Sequence, residues 1–429
     1  MKAENFKLEI GKKELIVMVN NLAEIANGSC QVRYGDTVVF TTAVMSSKEQ
    51  DLGFLPLTVD YEERFYAAGK IMGSRYIRRE SRPTDEAILT ARLIDRAIRP
   101  LFPKEFAKEV QVVVTCLSWD RENDPDILGL IGASVSLSIS DIPWSGPVAC
   151  LRISRKNNEF IINPTYEERE KSDLDLVFAG IEKENEILIN MIEAESQEVP
   201  EEVILEAYEF IKPELKKIIA FQKDIIEKSG KRKAVFQIPY QDQKLENEIK
   251  EFLKDKLKKA LFQKEKPDRM KNVNELKEEL ISYIKEKYEG EEKIKFVRDF
   301  FEKEISRLVH EAAIEREERV DGRKLDEIRE ISCQVGVLPR THGSALFCRG
   351  QTKTLSILTL GAPGDSKLLE GMEIVGKKRF MHHYNFPPYC AGEVKTIKGP
   401  SRREIGHGML VEKALLPVIP SFDEFPYTI

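Results

Sequence analysis

The sequence predicts an α+β fold: two copies of one αβ domain, the second incomplete, separated by an all-α helical domain. Three observations support this prediction. Strand-like and helical patterns alternate in both outer parts of the chain, the N-terminal pattern recurs after residue 342, and the stretch between them has helical spacing throughout. The 429 residues allow two or three domains. We place them at 1–145 and 146–238 (two parts of the first αβ domain), 239–320 (helical) and 321–429 (second αβ domain).

The first αβ domain begins with short strands. Residues 6–45 alternate between apolar and polar side chains, with a YGD turn at 34–36. A helix is predicted to start after Thr84, whose hydroxyl can cap it, and to stop at Pro100. A buried strand is predicted at 110–119, and the small-residue segment 125–140 predicts a closely packed helix.

A second αβ part and then the helical domain follow. Strands are predicted near 148–153, 159–162, 174–180 and 186–192, and Pro200 opens a long amphipathic helix. From Leu245 to about Glu318 the chain is rich in lysine and glutamate and carries three apolar stripes at helical spacing. We interpret the charge runs of this helical domain as solvated faces and not as binding surfaces.

An internal repeat shows that the β-rich pattern returns after the helical domain. Four segments recur in the same order: GSCQVRYGDTVVFTT from 28 and GSALFCRGQTKTLSI from 343, YAAGK from 66 and YCAGE from 389, IRRE from 77 and SRRE from 401, and RLIDRAIRPLFP from 92 and MLVEKALLPVIP from 409. Such a series indicates a duplicated domain. Since nothing in the second copy corresponds to residues 110–140, we expect the natural polypeptide to continue past Ile429.

Composition narrows the class of protein. No apolar run reaches membrane-spanning length, and the N-terminus lacks the apolar core of a signal peptide. The six cysteines are scattered without a C-x-x-C pair, which favours reduced, mostly buried thiols in a cytoplasmic protein over a disulfide framework or a zinc site. The formal net charge of −6 argues weakly against a polyanionic partner, but the charges are segregated.

Two basic segments occupy comparable places in the repeat. Residues 64–104 hold ten basic side chains against four acidic ones, and residues 377–413 hold eight against three. Many are arginines, whose planar guanidinium groups match phosphate oxygens in pairs. The candidate binding residues fall into three groups. Arg78, Arg79 and Arg82 lie in a loop beside the aromatic Tyr76, and Arg92, Arg96 and Arg99 lie on one helix face. Arg402, Arg403 and His407 lie at the start of another helix, whose amide groups could add to an anion site.

These residues also have plainer interpretations. An arginine-lined helix face is often solvated or ion-paired, an arginine-rich loop is most often only exposed, and a single histidine is usually structural. The position of His407 between two glycines, one turn past Arg403, favours a ligand contact. His382 and His383 could suggest a metal, but no carboxylate or cysteine completes a ligand set.

The absence of several catalytic and cofactor-binding motifs narrows the range of reactions that the protein could catalyse. The sequence contains no Walker motif, Rossmann glycine fingerprint, nucleophile elbow or H-E-x-x-H, and no compact set of acids of the kind that two-metal nucleases use. An arginine-lined site with few carboxylates suits inorganic phosphate as the attacking group. Phosphate is a competent nucleophile at neutral pH, and it needs charge neutralisation and alignment beside another phosphate.

The two arginine motifs resemble a known family. LTVDYEERFYAAGKI, RPTDEAILTARLIDRAIRPLFP and HHYNFPPYCAGE followed by SRREIGHG strongly resemble the bacterial polynucleotide phosphorylases. The resemblance implies RNase PH-like domains around a helical domain, in a homotrimeric ring whose central channel admits single-stranded RNA. It also implies a reversible, phosphate-dependent 3′-to-5′ exoribonuclease (polyribonucleotide nucleotidyltransferase) that releases nucleoside diphosphates from mRNA with Mg²⁺ as cofactor, in the cytoplasm and together with other RNA-degradation proteins.

The resemblance further implies roles for single residues. Arg78 and Arg79 match the channel loop that grips RNA, although Tyr76 and Ile77 stand where the family often has two phenylalanines. The magnesium-binding aspartates and phosphate-binding serines are expected beyond Ile429, as are KH and OB-fold modules. Arg92 and Arg96 match groups that contact RNA near the active site, and Arg402, Arg403 and His407 match groups that bind the scissile region and phosphate.

Three functions stay open at this point. The first is a phosphorolytic exoribonuclease, for the complete protein. The second is a catalytically inactive RNA-binding ring component, which describes a 429-residue fragment better because part of the active site would be missing. The third, a hydrolytic nuclease, is disfavoured by the missing acid cluster. In the first two, IRRE at 77–80 is the duplicated counterpart of SRRE, retained for gripping RNA and not for chemistry.

Overall fold

The computed structural model describes residues 4–19, 22–49, 54–73, 76, 78–236 and 242–429. The chain forms two compact units: Met1–Phe236 together with Leu360–Ile429, and Gln237–Thr359. Strands of the second copy therefore fall on both sides of the division. The predicted domain boundaries follow the repeat and not compactness, and they stay predictions.

A six-stranded sheet forms the first layer of the first unit. Its strands are β1 (Glu4–Ile10), β2 (Lys13–Val19), β3 (Gly28–Tyr34), β4 (Thr37–Glu49), β5 (Leu57–Glu62) and β6 (Lys108–Ser118), in the order β1-β2-β3-β4-β6-β5. All neighbours are antiparallel except β5 and β6, whose parallel pairing requires a crossover. Helix α1 (Asp85–Ile98) lies within that crossover.

Helices α1 and α2 (Pro125–Ile139), both predicted from the sequence, cover this sheet. The Thr84 hydroxyl accepts a hydrogen bond from the Ala87 amide, and α1 ends where Pro100 begins a short 3₁₀ turn. Every residue of α2 is buried. The small side chains of α2 let it lie close to both β3 and β4 while it joins the main hydrophobic core.

A second, antiparallel sheet completes the first αβ domain. Its strands are β7 (Ala149–Lys156), β8 (Glu159–Ile162), β9 (Leu174–Lys183) and β10 (Glu186–Ser196), in the order β10-β9-β7-β8. The one-turn helix α3 (Tyr166–Glu170) follows β8, and Pro200 caps the long helix α4 (Glu201–Ser229). Ile211, Leu215 and Ile218 of α4 are fully buried in a core shared with this sheet.

The second unit consists of three helices and a three-stranded sheet. These elements are α5 (Gln243–Leu261), α6 (Lys266–Lys287), α7 (Glu291–Glu315), β11 (Ile331–Val335), β12 (Gly343–Arg349) and β13 (Thr352–Leu358). The three predicted apolar stripes pack into one core between the helices. Lysines of one helix pair with glutamates of another, as at Lys256–Glu279 (2.7 Å) and Lys277–Glu302 (2.7 Å), and β13 is exposed over its whole length.

The remaining segment belongs to the first unit. It contains the hairpin β14 (Lys367–Glu370) and β15 (Val375–Lys378), followed by helix α8 (Arg402–Leu415). At the tip of the hairpin, Met372 is fully buried in a small cluster with Ala67, Ala68 and Cys116. The Lys70 ammonium donates a hydrogen bond of 2.8 Å to the Met372 carbonyl, so the tip is fixed to the first αβ domain by packing and by hydrogen bonding.

The repeat is visible in matching local structures. The hairpin β3–β4 corresponds to β12–β13, and a 3₁₀ turn at Phe65–Ala68 corresponds to one at Pro388–Ala391. Helices α1 and α8 both have 14 residues and both end in a three-residue 3₁₀ turn. The duplication and the α+β fold class are confirmed.

One detail of the predicted repeat is wrong. Counted from the first residue of each helix, Ser401 corresponds to the cap Thr84, and Arg402 corresponds to Asp85. Arg78 and Arg79 precede helix α1, in the loop before its cap. The match between IRRE at 77–80 and SRRE at 401–404 is therefore a similarity of sequence alone, and the two segments do not occupy corresponding positions in the structure.

The six cysteines are spread over both compact units. All six cysteines are free thiols; Cys30, Cys116 and Cys150 are buried, whereas Cys333 and Cys390 are exposed. The prediction of mostly buried thiols thus holds for the first αβ domain alone. Within the described ranges, no helix combines the length and apolar character that a membrane crossing requires.

Candidate nucleic-acid and phosphate site

The start of helix α8 is closed by its own residues. The Ser401 hydroxyl accepts a hydrogen bond from the Glu404 amide, and the Glu404 carboxylate accepts from the amides of Ser401 (2.8 Å) and Phe386 (2.7 Å). These hydrogen bonds lower the pKa of Glu404, and the bond from the Phe386 amide has the largest effect. The Glu404 carboxylate binds the Ser401 and Phe386 amides and not those of Arg402 and Arg403, so the anion site expected on the helix amides stays a prediction.

Helices α1 and α8 pack against each other and bring arginines of both copies together. The side chain of Arg92 crosses α8 at Gly406, where a Cβ atom would lie 2.3 Å from its Cδ and Nε. Burial first, and then the charges of Arg96 and Arg403, lower the pKa of Arg92. Nε of Arg92 is buried without a hydrogen-bond partner, and no ion pair to Arg92 is found among the described residues.

Three other predicted arginines have acidic partners. Arg402 lies 2.5 Å from the Asp60 carboxylate and donates a hydrogen bond to the Val59 carbonyl (3.0 Å) on β5. Arg96 pairs with Glu193, which also contacts Lys413 at 3.3 Å. Arg99 pairs with Asp95 at 2.7 Å and donates to the carbonyls of Leu55 and Leu57. The plainer, ion-paired interpretation thus describes Arg96 and Arg99, and RNA binding by these residues stays a prediction.

A row of aromatic side chains extends along the face of α8 that carries Arg403 and His407. His407 stacks on Tyr384 with ring centroids 4.1 Å apart, and Tyr384 in turn lies near Phe386. The Arg403 guanidinium lies 5.8 Å from the Phe386 ring. Sequence reasoning missed both aromatic residues, although their i, i+2 spacing in an extended YNF segment places them on one side.

Gly408 permits this close approach. A Cβ atom at this position would lie 2.8 Å from the His382 carbonyl oxygen and 3.3 Å from the Tyr384 amide nitrogen. The two glycines of the G-H-G motif therefore face different neighbours: Gly406 faces a side chain of α1, and Gly408 faces the backbone before the aromatic row.

The loop before α1 is exposed. Arg78 donates a hydrogen bond of 2.9 Å to the Gly73 carbonyl, and Arg78, Arg79, Arg82 and Tyr76 all face solvent. Ile77 lies outside the described residues. No hydrogen bond or ion pair joins the described part of this loop to α8, so the structure gathers Arg92, Arg96, Arg403 and His407 around α8 but does not join the loop to them.

A cavity of about 380 Å³ lies beside α8 and is lined by His382, His383 and Glu412 among others. Its lysines are neutralised, Lys367 by Asp85 (2.6 Å) and Lys378 by Glu412 (2.7 Å). Throughout the described part of the chain, no group of three histidine, cysteine or acidic side chains could hold a metal ion. These residues do not fit Mg²⁺, and we assign no chemical step to a metal.

A second charged cluster is largely buried in the first αβ domain, with side chains that are 8% to 22% exposed. Arg152 contacts Asp126 (2.5 Å) and Asp175 (2.8 Å), while Arg169 contacts Asp124 (2.5 Å) and Asp175 (3.0 Å). Three carboxylates face two guanidinium groups, so one negative charge is in excess. Burial and the neighbouring Asp124 raise the pKa of Asp126 to about 7, despite the opposing charge of Arg152.

Comparison with protein families gives matches along most of the chain. The model of the 3′ exoribonuclease family, domain 1, matches residues 13–143 and again 327–429, which agrees with the duplication. Domain 2 of the same family matches residues 146–210. Residues 244–324 match the model described as polyribonucleotide nucleotidyltransferase, RNA binding domain, a description that contrasts with our interpretation of the helical charges as solvated faces.

Relatives named polyribonucleotide nucleotidyltransferase are similar over nearly the whole chain. The protein of Syntrophomonas wolfei is 47% identical over 100% of this chain and 60% of its own length. That of Geobacillus kaustophilus is 49% identical over 99% of this chain and 58% of its own length. That of Heliobacterium modesticaldum is 48% identical over 99% of this chain and 59% of its own length. The chain thus spans about three fifths of the length of the relatives it matches.

Proposed function

Because this chain belongs to the 3′ exoribonuclease family, we propose that the whole protein acts as a polyribonucleotide nucleotidyltransferase. It shortens single-stranded RNA from the 3′ end with inorganic phosphate, releases nucleoside diphosphates, and runs in reverse as a polymerase. The single observation that carries the proposal is the packing of α1 on α8, which places Arg92 of the first copy near Arg403 of the second.

The reaction joins two anions, and their repulsion is the first obstacle. A phosphate oxygen attacks the phosphorus of the last phosphodiester, and the 3′ oxygen of the preceding nucleotide leaves with a proton. Guanidinium groups on both sides of the reacting phosphorus neutralise charge and hold the two groups in line. Arg92 suits this role because it has no acidic partner among the described residues.

Arg403 and His407 lie where they can contact the last nucleotides. Both side chains are exposed, and both lie against the aromatic pair Tyr384 and Phe386. Exposed aromatic and guanidinium planes stack on nucleobases, while the same arginine reaches phosphate oxygens. Arg402 is fixed to Asp60, so in this proposal it orients α8 and adds positive charge to the site.

The wider assembly is part of the proposal and comes from the family resemblance. Three chains form a ring, and the loop with Arg78, Arg79 and Arg82 grips RNA in the central channel. Mg²⁺ is the cofactor that the family resemblance implies. Arg96 and Arg99, which pair with Glu193 and Asp95 in the absence of RNA, line the RNA path. The protein works in the cytoplasm in mRNA degradation, alongside other RNA-degradation proteins.

The test is to supply the full-length protein with single-stranded RNA, with and without inorganic phosphate. We expect nucleoside diphosphates only when phosphate is present. In the variant Arg403→Ala, turnover should fall by roughly a hundredfold, since a charge that acts on the transition state is lost. RNA affinity should fall much less.

The controls separate the alternatives. Lys217→Ala on α4 removes an exposed lysine that pairs with Glu214 and should change nothing. Monophosphates released without phosphate would identify a hydrolytic nuclease. RNA binding without any turnover, with Arg403→Ala affecting affinity alone, would identify an inactive RNA-binding ring component.

A further inference from the structure

Gly406 and Arg92 fit each other in a way that no pairwise hydrogen bond reveals. The three atoms nearest to a Cβ built on Gly406 all belong to Arg92: Cδ at 2.3 Å, Nε at 2.3 Å and Cζ at 3.2 Å. Real Cβ atoms do not approach other heavy atoms this closely, so any side chain at 406 must move Arg92. Gly406 itself is buried.

From this fit we propose that Gly406 is a positioning residue: by lacking a side chain, it lets Arg92 cross α8 and hold its guanidinium beside Arg403 for the RNA phosphate. The inference rests on the proposed function and adds to it a residue that touches neither RNA nor phosphate. It also accounts for the first glycine of G-H-G.

The position of Arg92 is otherwise weakly determined. No acidic side chain among the described residues forms an ion pair with it; the charges of Arg96 and Arg403 repel it, and Asp95 and Glu193 attract it from beyond ion-pair distance. A long side chain with these surroundings moves easily to another rotamer when its path is blocked. The shape of α8 at Gly406, and not an ion pair, therefore holds Arg92 in place.

Replacement of Gly406 should affect binding more than folding. The three atoms nearest to an added methyl group all belong to the flexible side chain of Arg92, so Arg92 can swing away. Alanine also suits a helix interior better than glycine. Gly408→Ala is the matched comparison, because its methyl group meets the His382 carbonyl and Tyr384 amide, which cannot swing away.

The experiment is a double-mutant cycle in the full-length protein with Gly406→Ala, Arg92→Ala and the combination. RNA affinity at several salt concentrations, kcat and KM for phosphorolysis, and the thermal midpoint are measured. Gly406→Ala and Arg92→Ala should each weaken RNA binding by roughly tenfold, the scale of one charge-assisted contact. Each should lower the salt dependence by about one phosphate contact.

The combination is the decisive variant. Once Arg92 is shortened, a methyl group at 406 no longer meets it, so the double variant should match Arg92→Ala within about twofold. The thermal midpoint of Gly406→Ala should equal or exceed that of the wild type, whereas that of Gly408→Ala should fall.

Different failures have different meanings. If the wild type works and Gly406→Ala behaves like it, or if the two losses multiply in the double variant, the positioning role is overturned and the proposed function stands. If the wild type neither binds RNA nor uses phosphate, the proposed function is overturned and the inference with it.

Discussion

In the cluster around Arg152, neighbouring side chains determine which aspartate is protonated in the folded state. Asp124, Asp126 and Asp175 surround two arginines, and the excess charge is poorly solvated because each of these side chains is at most 22% exposed. The pKa of Asp124 is lowered by Arg152 and Arg169 despite its burial, while the pKa of Asp126 is raised to about 7. One proton thus belongs to the folded cluster well above the pH at which a free aspartate loses it.

This protonation predicts a pH dependence of stability. Because the folded state holds the Asp126 proton more tightly than the unfolded chain, the contribution of Asp126 is fully present below about pH 4 and is lost as pH rises to about 7. Asp126→Asn cannot lose that proton. We expect urea denaturation to show a flatter profile for this variant between pH 4 and pH 8, by on the order of 4 kcal/mol.

Asp173→Asn is the matched control for this profile. Its carboxylate pairs with Arg155 at 2.5 Å, which lowers the pKa of Asp173. Asp173 therefore stabilises the fold above about pH 4 and loses that effect on acidification. The control should keep the wild-type slope between pH 4 and pH 8; equal slopes for Asp126→Asn and the wild type would contradict the protonation of Asp126.

Among the elements, the hairpin β14–β15 is fixed to the first αβ domain at its tip. Met372 is fully buried with Ala67, Ala68 and Cys116, and the Tyr166 hydroxyl donates a hydrogen bond to the next residue, Glu373. The hairpin precedes the aromatic row and α8 in the chain. Because Lys378 of β15 pairs with Glu412 of α8 at 2.7 Å, the anchoring of the hairpin contributes to positioning α8.

Met372 should accordingly matter far more than its neighbour in the same turn. Met372→Ala leaves a cavity and should lower the free energy of unfolding by about 2–4 kcal/mol. Ile374→Ala removes a side chain that is 46% exposed and should change it by less than about 0.5 kcal/mol. Urea denaturation measures both; similar losses for the two variants would show that the tip does not anchor the hairpin.

The elements also show what could be predicted from the sequence. Helix α1 was predictable because its cap, its apolar spacing and its stop at Pro100 all lie within 17 residues of the chain, from Thr84 to Pro100. The partners of Arg402 and Arg96 were not, since Asp60 and Glu193 lie far away in sequence. The same holds for Gly406, whose role depends on a side chain of another helix.

At the scale of the whole molecule, charge is distributed so that an acidic protein carries two basic segments. The net charge is −6, yet the arginines of the loop before α1 face solvent. Lysines of the helical domain, by contrast, pair with glutamates of neighbouring helices. We therefore expect the loop and the α1–α8 face to supply most of the phosphate contacts, with any contribution of the helical domain added to them.

This distribution predicts a strong salt dependence. RNA affinity of the full-length protein should fall steeply between low and physiological salt, as counterions compete for phosphate. Arg78→Ala should lower the slope of log K against log salt by about one, while Lys217→Ala should leave it unchanged. Fluorescence anisotropy with labelled RNA checks this, and affinity that is independent of salt would contradict the basic segments as the binding surface.

The contact between Gly406 and Arg92 also has an evolutionary consequence. A bulkier residue at position 406 is harmful while the arginine is present and harmless once it is gone, so the order in which two substitutions occur decides whether the first one survives. Such dependence of one mutation on another is epistasis. In lineages of this protein, position 406 should accept side chains only after position 92 has shortened, and the two positions should drift as a pair.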